Sequence, residues 1–202
     1  MFRKFLQNTR KPEGRLGRWM LRGMNLGHNW LIAWALSFVT FRPGAHILDV
    51  GCGGGATIAN LLKYVENSRV DGIDYSAESV AFSKRRNAKN LGERCQICEG
   101  NVASLPYEDA VLDYVTAFET IFFWPDIRAA FREIARVLKS GGTILIGCEI
   151  DDASNTTWTD RIEGMVIHPA EEIAEALKEA GFQDVQTHRN NRGNIAVAGI
   201  RA

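Results

Sequence analysis

An apolar strand that ends in an acid and then breaks into glycines constrains this chain more than any other stretch. Residues 46–56 read His-Ile-Leu-Asp-Val-Gly-Cys-Gly-Gly-Gly-Ala, which sets Gly51, Gly53 and Gly55 at alternate positions. Glycine has no Cβ, so the backbone can turn with φ > 0 and approach a ligand closely. A helix beginning near Thr57 would point its positive end at the same place. The stretch therefore predicts a strand, a ligand-binding turn and a helix, with a turn that binds nothing as the alternative.

The spacing of the glycines alone leaves the ligand open. Gly51, Gly53 and Gly55 fit G-x-G-x-G, whereas Gly51, Gly53 and Ala56 fit G-x-G-x-x-A, which overlaps the dinucleotide fingerprint. Asp49 precedes the first glycine by two residues. A carboxylate there would repel a diphosphate, but it suits S-adenosylmethionine, which carries a sulfonium and an α-ammonium group. The charge of Asp49 therefore favours S-adenosylmethionine.

A second acid follows the next apolar segment. Asp74 comes about 20 residues after the glycine turn, where a carboxylate binds ribose hydroxyls in folds of this kind. A plain helix cap is the alternative, because Ser76 or its neighbour starts a helix there. Tyr75 is placed to lie against an adenine face, and ordinary packing is the alternative for it.

Five segments together resemble the class I S-adenosylmethionine-dependent methyltransferases, over roughly residues 43–202. They are HILDVGCGGGA, GIDYS, EGNVASLPYEDAVLDYVTAFET, DIRAAFREIARVLKSGGTILI and HPAEEIAEALKEAGFQDVQT. The resemblance implies an α/β fold: a doubly wound, mainly parallel, seven-stranded Rossmann-like sheet with a C-terminal antiparallel hairpin. It also implies S-adenosylmethionine as the cofactor. Residues 24–28, Met-Asn-x-x-His, resemble the N-terminal helical lid of a subgroup of small bacterial methyltransferases.

The resemblance also assigns further cofactor contacts. Where the family has G-D-A after the third strand, this chain has Gly100-Asn101-Val102. We expect Asn101 to accept from the adenine amino group through its amide oxygen, in a weaker, uncharged bond. Phe118 leaves the fourth strand where the family contacts the methionine part of the cofactor. The Asn-Pro-Pro-Tyr segment of enzymes that methylate exocyclic amines of bases is missing there, so methylation of DNA is disfavoured.

Methyl transfer from a sulfonium is an in-line displacement, so a protein mainly aligns the reactants and excludes water. A base is needed only if the acceptor atom carries a proton at neutral pH. Glu119 is one candidate, because the aromatic residues around it predict an apolar pocket that would raise its pKa. His28 is the other, in a lid where Trp30 and Trp34 would wall the pocket. Core packing of the aromatic residues, a capping role for His28 and an exposed Glu119 are the alternatives.

The charge of the chain is distributed unevenly. Residues 1–22 carry seven Lys and Arg against one Glu, and the remainder carries 17 against 23 acids, so the formal net charge is zero. We expect residues 1–42 to form a basic arm and helical lid, and residues 43–202 the methyltransferase domain. Three interpretations of the arm are open: it is solvated, it weakly contacts an anionic membrane surface, or it contacts an acidic substrate. The segment 26–39 fits neither a signal peptide nor a spanning helix. The chain is expected to be cytoplasmic.

Cysteine usage agrees with that location. Cys52, Cys95, Cys98 and Cys148 do not form the spacing of a disulfide framework. Cys95-x-x-Cys98 is a weak signal for zinc or redox chemistry without a second ligand pair, so no metal site is predicted.

Alternating apolar strands and helices predict a parallel sheet closed by a final hairpin. Residues 150–168, between the fifth strand and the last helix, are interpreted as a substrate-side flap whose acids attract a cationic substrate, or as a solvated loop. The helix over 126–138 is expected to end at Gly141-Gly142 through C-cap chemistry. The predicted helices cover residues 16–24, 26–38, 57–65, 77–90, 126–138 and 170–180, and the strands 46–50, 69–74, 96–99, 112–117, 143–148, 184–188 and 194–200.

Three functional hypotheses remain from the sequence. The first is a methyltransferase that transfers the methyl group of S-adenosylmethionine to a small molecule, with no nucleic acid as partner. The second is a nicotinamide-dependent oxidoreductase, which Asp49 and the lack of a Tyr-x-x-x-Lys pair oppose. The third is a non-catalytic S-adenosylmethionine-binding protein. The sequence leaves the acceptor atom and the oligomeric state open.

Overall fold

The computed structural model describes residues 29–202. Seven strands form one sheet in the order β3-β2-β1-β4-β5-β7-β6. All neighbouring strands are parallel except β7, which is antiparallel to both β5 and β6. The predicted sheet with its C-terminal antiparallel hairpin is confirmed. The strands are β1 (His46–Val50), β2 (Arg69–Asp74), β3 (Ile97–Glu99), β4 (Leu112–Phe118), β5 (Leu138–Cys148), β6 (Phe182–Arg189) and β7 (Ile195–Arg201).

Helices cover both faces of this sheet, because its central strands are apolar on both sides. Residues 29–202 form five α-helices and two short 3-10 helices, Ala88–Asn90 and Ile121–Phe123. The helices α4 and α5 bury their apolar stripes against one face, while α1 and α2 pack on the other. The α-helices are α1 (Asn29–Leu36), α2 (Ala56–Tyr64), α3 (Ala77–Arg86), α4 (Ile127–Val137) and α5 (Ala170–Glu179).

The helix α4 ends within one residue of the predicted Leu138, but the predicted stop at Gly141-Gly142 and the predicted strand start at Thr143 were wrong. The helix stops at Val137, and β5 begins at the next residue and runs through Gly141-Gly142. Leu138 is fully buried and pairs with Leu112 of β4, so the chain gains a sheet partner by extending there. The glycines lie at the register shift of this strand instead, with Gly141 at φ 76°.

Helix α1 is part of the sheet packing rather than a cover over the strand ends. Leu31, Ile32 and Ala35 are buried, and the last two pack against Phe118 of β4. Burying this apolar stripe on the sheet removes it from water, which decides where the helix lies. The remainder of the predicted lid, residues 16–28, lies outside the described residues.

The carboxyl ends of β1 and β4 lie side by side where the strand order reverses. The chain leaves β1 towards β2 and β3 and then returns to β4 on the other side of β1. In open sheets of this kind, ligands bind beyond the strand ends at such a switch point. The fold therefore places the glycine turn after β1 next to the segment after β4.

Candidate cofactor site

All three alternating glycines of the turn after β1 adopt left-handed backbone angles. The φ values are 71° at Gly51, 48° at Gly53 and 71° at Gly55. Residues with a Cβ rarely adopt these angles, so the sequence pattern has a direct backbone cause. Gly55 is the N-cap of α2, which begins one residue before the predicted Thr57.

The amides of this turn bind acceptors of the protein itself. Gly51 and Cys52 both donate to the carbonyl oxygen of Ile73, at 2.8 and 3.0 Å. Gly53 donates to Oδ2 of Asp74 at 2.8 Å, and Gly55 to the carbonyl oxygen of Cys52 at 2.8 Å. The turn is thus fixed to the end of β2, and these four N–H groups are already used within the protein.

A cleft of about 170 Å³ opens above the strand ends beside the turn. It runs from the glycine turn, across the ends of β2 and β3, to the segment after β4. Its lining combines one carboxylate with aromatic and small apolar residues. The lining residues are Val50, Gly51, Ile73, Asp74, Tyr75, Gly100, Asn101, Val102, Thr120, Phe123, Trp124 and Pro125.

Asp74 is the carboxylate of the cleft, and its position is held from two sides. Its Oδ2 accepts from Gly53, and its Oδ1 accepts from the backbone N–H of Ser76 at 2.9 Å. Burial raises the pKa of Asp74, and these hydrogen bonds oppose the rise. Ser76 caps α3 by accepting from Ser79. Asp74 is therefore a fixed carboxylate at the cleft, as the ribose assignment requires.

Asp49 lies beneath the turn and does not line the cleft. Only 2% of the residue is exposed, and the hydroxyl of Thr116 on β4 donates to its Oδ1 at 2.7 Å. Burial, and to a smaller extent the negative charge of Asp74, raise the pKa of Asp49 to about 7. Two carboxyl groups thus lie close together on one side of the glycine turn, an arrangement that favours a cation there.

The far end of the cleft presents Tyr75, Asn101 and Val102, as the sequence predicted. Tyr75 is 38% exposed, and Val102 is buried. The amide oxygen of Asn101 accepts from the backbone N–H of Ala103 at 3.0 Å, which fixes the orientation of the carboxamide. An oxygen already engaged in this way has one lone pair left for an adenine amino group.

The aromatic run after β4 divides between the core and the cleft. Phe123 and Trp124 line the cleft, while Phe122 is buried in the main core. Phe118 lies outside the cleft and packs against α1 and Gly147. Sequence analysis did not select Thr120, which lines the cleft and closely approaches Gly51. Its place directly after a strand end was the only sequence signal for it.

Glu119 stands at the end of β4 in a left-handed conformation, with φ 57°. Its Oε1 accepts from the backbone N–H of Glu149 at 2.5 Å, and its own N–H donates to Gly147 at 3.0 Å. A non-glycine residue with positive φ is uncommon and marks a constrained position. His28, the other candidate base, lies outside the described residues.

Comparison with known proteins identifies the family to which this chain belongs. Residues 48–146 match the sequence model of the family described as "Methyltransferase domain". The match runs from the middle of β1 to two residues before the end of β5. The chain belongs to the class I S-adenosylmethionine-dependent methyltransferases. The glycine turn and Asp74 both fall within the matched residues.

Two curated relatives illustrate what this chain is similar to. The 2-methyl-6-phytyl-1,4-hydroquinone methyltransferase 1 of Oryza sativa is 33% identical over 152 residues, which are 74% of this chain and 44% of the relative. The demethylmenaquinone methyltransferase of Bacillus cytotoxicus is 37% identical over 106 residues, covering 52% of this chain and 44% of the relative. The chain thus spans less than half the length of these relatives.

A solved structure agrees on the fold of this chain. A chain from the complex between the Haloferax volcanii Trm112 methyltransferase activator and a methyltransferase superposes with a TM-score of 0.78. The identity is 22%, and the match covers 90% of this chain and 92% of that one. The fold therefore persists where most of the sequence differs.

The segment 150–168 is irregular but anchored at both ends. Asp151 is buried, pairs with Arg189 of β6 at 2.5 Å and accepts from the N–H of Ala170 at the start of α5. Val166 donates to the carbonyl oxygen of Phe122. The interpretation that Asp151 attracts a cationic substrate was wrong, because Arg189 already neutralises it.

The four cysteines of the chain are free thiols. Burial raises the pKa of Cys52, Cys95, Cys98 and Cys148, so they are poor nucleophiles and ligands. Between residues 29 and 202, no group of three or more His, Cys, Asp and Glu could hold a metal ion. In the same part of the chain, every helix is too short or too polar to cross a bilayer.

Proposed function

We propose that this chain transfers the methyl group of S-adenosylmethionine to a small-molecule acceptor by in-line displacement. The observation that carries the proposal is the pairing of Asp49 and Asp74 beside a turn whose amides are already bonded within the protein. A diphosphate in the cleft would meet the carboxyl group of Asp74, would lie near the buried carboxyl group of Asp49 and would find few free N–H donors. A ligand with a sulfonium and an ammonium group would meet favourable charge.

The residues present fit S-adenosylmethionine. We assign the ribose hydroxyls to Asp74 and the adenine ring to the apolar walls of Tyr75, Val102 and Trp124, with Gly51 bringing the backbone close. When bound, the cofactor supplies an electrophilic methyl group. The chain then has to orient the acceptor in line with it and to exclude water, for which the aromatic walls of the cleft are suited.

A proton leaves the acceptor only if its nucleophilic atom carries one. We propose Glu119 and His28 as the groups that orient the acceptor or take this proton. The strained backbone of Glu119 and its place at the end of β4 support its part in this proposal. Glu119→Gln and His28→Ala should lower turnover and leave binding of S-adenosylhomocysteine nearly unchanged. Unchanged turnover in both variants would remove them from catalysis.

The relatives suggest which acceptors to test first. The two relatives are named as a hydroquinone methyltransferase and a demethylmenaquinone methyltransferase. The experiment is calorimetry with S-adenosylhomocysteine and NADH, followed by mass spectrometry of a hydroquinone, phenol and amine panel incubated with S-adenosylmethionine. Binding of S-adenosylhomocysteine and a methylated product support the proposal. Binding of NADH alone would favour an oxidoreductase, and cofactor binding without any product would favour a binding protein.

The part played by the N-terminal segment stays a prediction, since residues 1–28 lie outside the described residues. Its seven basic residues within 22 positions suit an anionic surface. Sedimentation with phosphatidylglycerol vesicles at low and high salt tests membrane contact. The cytoplasmic location stays a prediction in the same way, and fractionation of cells tests it.

A further inference from the structure

The carboxyl group of Asp49 is buried without a cation to balance it. It is the fourth residue of β1, with Gly72 of β2 on one side and Thr116 of β4 on the other. The hydroxyl of Thr116 donates its one hydrogen bond to it. An ionised carboxylate in such surroundings is costly, because neither water nor a positive side chain stabilises the charge.

Among the groups that face Asp49 from the neighbouring elements, the hydroxyl of Thr116 favours its ionisation by a hydrogen bond, whereas the charge of Asp74 opposes it. Asp74 faces it from the end of β2, the thiol of Cys52 from the glycine turn, and Thr116 from β4. Within residues 29–202 no Lys, Arg or His is among the groups that act on Asp49. Among residues 29–202, then, no side chain supplies the positive charge that would stabilise ionised Asp49, and a cationic ligand would supply it.

Asp49 is also close to where such a charge would arrive. It directly precedes Val50 and Gly51, which line the cleft, and it senses the charge of Asp74, which lines it too. If the proposed function holds, the cofactor brings a permanent sulfonium charge to the side of the cleft that Val50 and Gly51 line. After methyl transfer the sulfur is a neutral thioether, while the ammonium and carboxylate groups of the cofactor are unchanged.

We propose that Asp49 distinguishes the methylated cofactor from its demethylated product by charge, binding S-adenosylmethionine as a carboxylate and S-adenosylhomocysteine as a neutral acid. Binding of the sulfonium releases a proton from Asp49 to solvent. During transfer, the electron pair of the broken S–CH₃ bond stays on sulfur, and the acceptor forms the new bond to carbon. Asp49 then takes up one proton from solvent, and the electrostatic attraction between Asp49 and the bound product is lost. This inference rests on the proposed function, and it makes Asp49 a specificity-determining residue.

Calorimetry of the full chain at pH 6, 7 and 8, in buffers of different ionisation enthalpy, tests the proposal. A single group with a pKa of about 7 in the free protein gives an affinity for S-adenosylmethionine about tenfold higher at pH 8 than at pH 6. Near pH 6 its binding should release close to one proton. S-adenosylhomocysteine should show neither effect.

Two variants and one control assign the effect to Asp49. Asp49→Asn should abolish the pH dependence and bring the affinities for cofactor and product closer together. Thr116→Val removes the hydrogen bond to Asp49 and should move the midpoint of the pH dependence to higher pH. Glu99→Gln removes an exposed negative charge at the same edge of the sheet, next to Asp74, and should leave the pH dependence in place.

The outcomes separate this inference from the proposed function. Tight binding of S-adenosylmethionine that is equal at pH 6 and 8, without proton release, would overturn the inference and leave the function intact. Absence of binding at every pH would overturn the function itself. If Asp49→Asn does not fold, carbon-13 NMR of the wild-type carboxyl groups decides. A resonance titrating near neutral pH that stays ionised only with S-adenosylmethionine supports the inference, and one ionised throughout contradicts it.

Discussion

Gly51 and Thr120 approach each other so closely that a Cβ on Gly51 would lie 2.1 Å from the hydroxyl oxygen of Thr120. This contact joins the turn after β1 to the segment after β4 at the edge of the cleft. The glycine is thus needed twice, for its left-handed backbone and for the space that Thr120 fills.

Gly51→Ala should be far more damaging than an alanine at a glycine with similar backbone angles. We expect it to lower the free energy of unfolding by roughly 2–5 kcal/mol, from strain plus overpacking, and to abolish cofactor binding. Gly44 has φ 73° and open space around it, so Gly44→Ala should cost only about 1–2 kcal/mol. Thermal unfolding and calorimetry with S-adenosylhomocysteine measure both. Equal losses in the two variants would show that the contact with Thr120 is unimportant.

Asp74→Ala should weaken binding of S-adenosylhomocysteine by about 1.5–3 kcal/mol, the contribution of hydrogen bonds to a charged group. Part of the loss should come from the turn, because Gly53 loses its acceptor. Asp113→Ala removes a carboxylate at the amino end of the same sheet, where it pairs with Arg42 and Lys139, and should leave binding unchanged. Affinity at the wild-type level in Asp74→Ala would refute the ribose assignment.

Asn101→Asp should strengthen binding of S-adenosylhomocysteine by about 1 kcal/mol, the difference between a charged and a neutral hydrogen bond. One oxygen of the new carboxylate can keep the bond to Ala103, and the second becomes available to the adenine amino group. Calorimetry measures the change, with S-inosylhomocysteine as the control ligand because it lacks that amino group. A gain for both ligands would point to general charge attraction instead.

Asp49→Asn should stabilise the cofactor-free protein at alkaline pH. Folding raises the pKa of Asp49 from 3.8 to about 7, so its contribution is fully present below pH 3.8 and is lost as the pH rises through 7. At pH 8 the variant should therefore be more stable than the wild type by roughly 2–4 kcal/mol, and the difference should shrink at pH 4. Urea unfolding at both pH values measures it; a constant difference would show that Asp49 is ionised in both states.

Asp71→Asn should have the opposite pH dependence. Burial opposes ionisation of Asp71, but hydrogen bonds from His46 and Gln96 and the charge of Arg69 leave its pKa lowered. Its contribution is present above the unfolded pKa of 3.8 and is lost as the pH falls through the lower folded value. The variant should lose roughly 2–3 kcal/mol at pH 7 and less near pH 3.

Asp109→Asn is the matched control for this prediction. Its carboxylate is largely exposed and pairs with Arg136, so the change should stay below about 0.5 kcal/mol. Urea unfolding of both variants at pH 3 and 7 gives the comparison. A loss at Asp71 as small as that at Asp109 would contradict the stabilising role of its hydrogen bonds.

The strands, the helices and the glycine turn could be predicted because their signals are local. The alternating glycines reflect φ values that only glycine adopts readily, and Asp74 follows its strand directly. The start of β5 at Leu138 could not be predicted, since the partner of Leu138 is Leu112, which is distant in sequence. Local C-cap chemistry placed a stop at Gly141-Gly142, but pairing and burial in the sheet carry the strand through these glycines.

The sequence by itself determined the sheet, the turn and the acids beside it, because backbone angles and apolar periodicity act over a few residues. Only the tertiary structure decided that Phe123 faces the cleft while Phe118 packs on α1, and that Arg189 neutralises Asp151. It also decided that Asp49 lies buried near Asp74, with no cationic side chain of residues 29–202 acting on it. Side-chain environments of this kind arise from strands far apart in the chain, and burial and charge depend on what the fold places around a group.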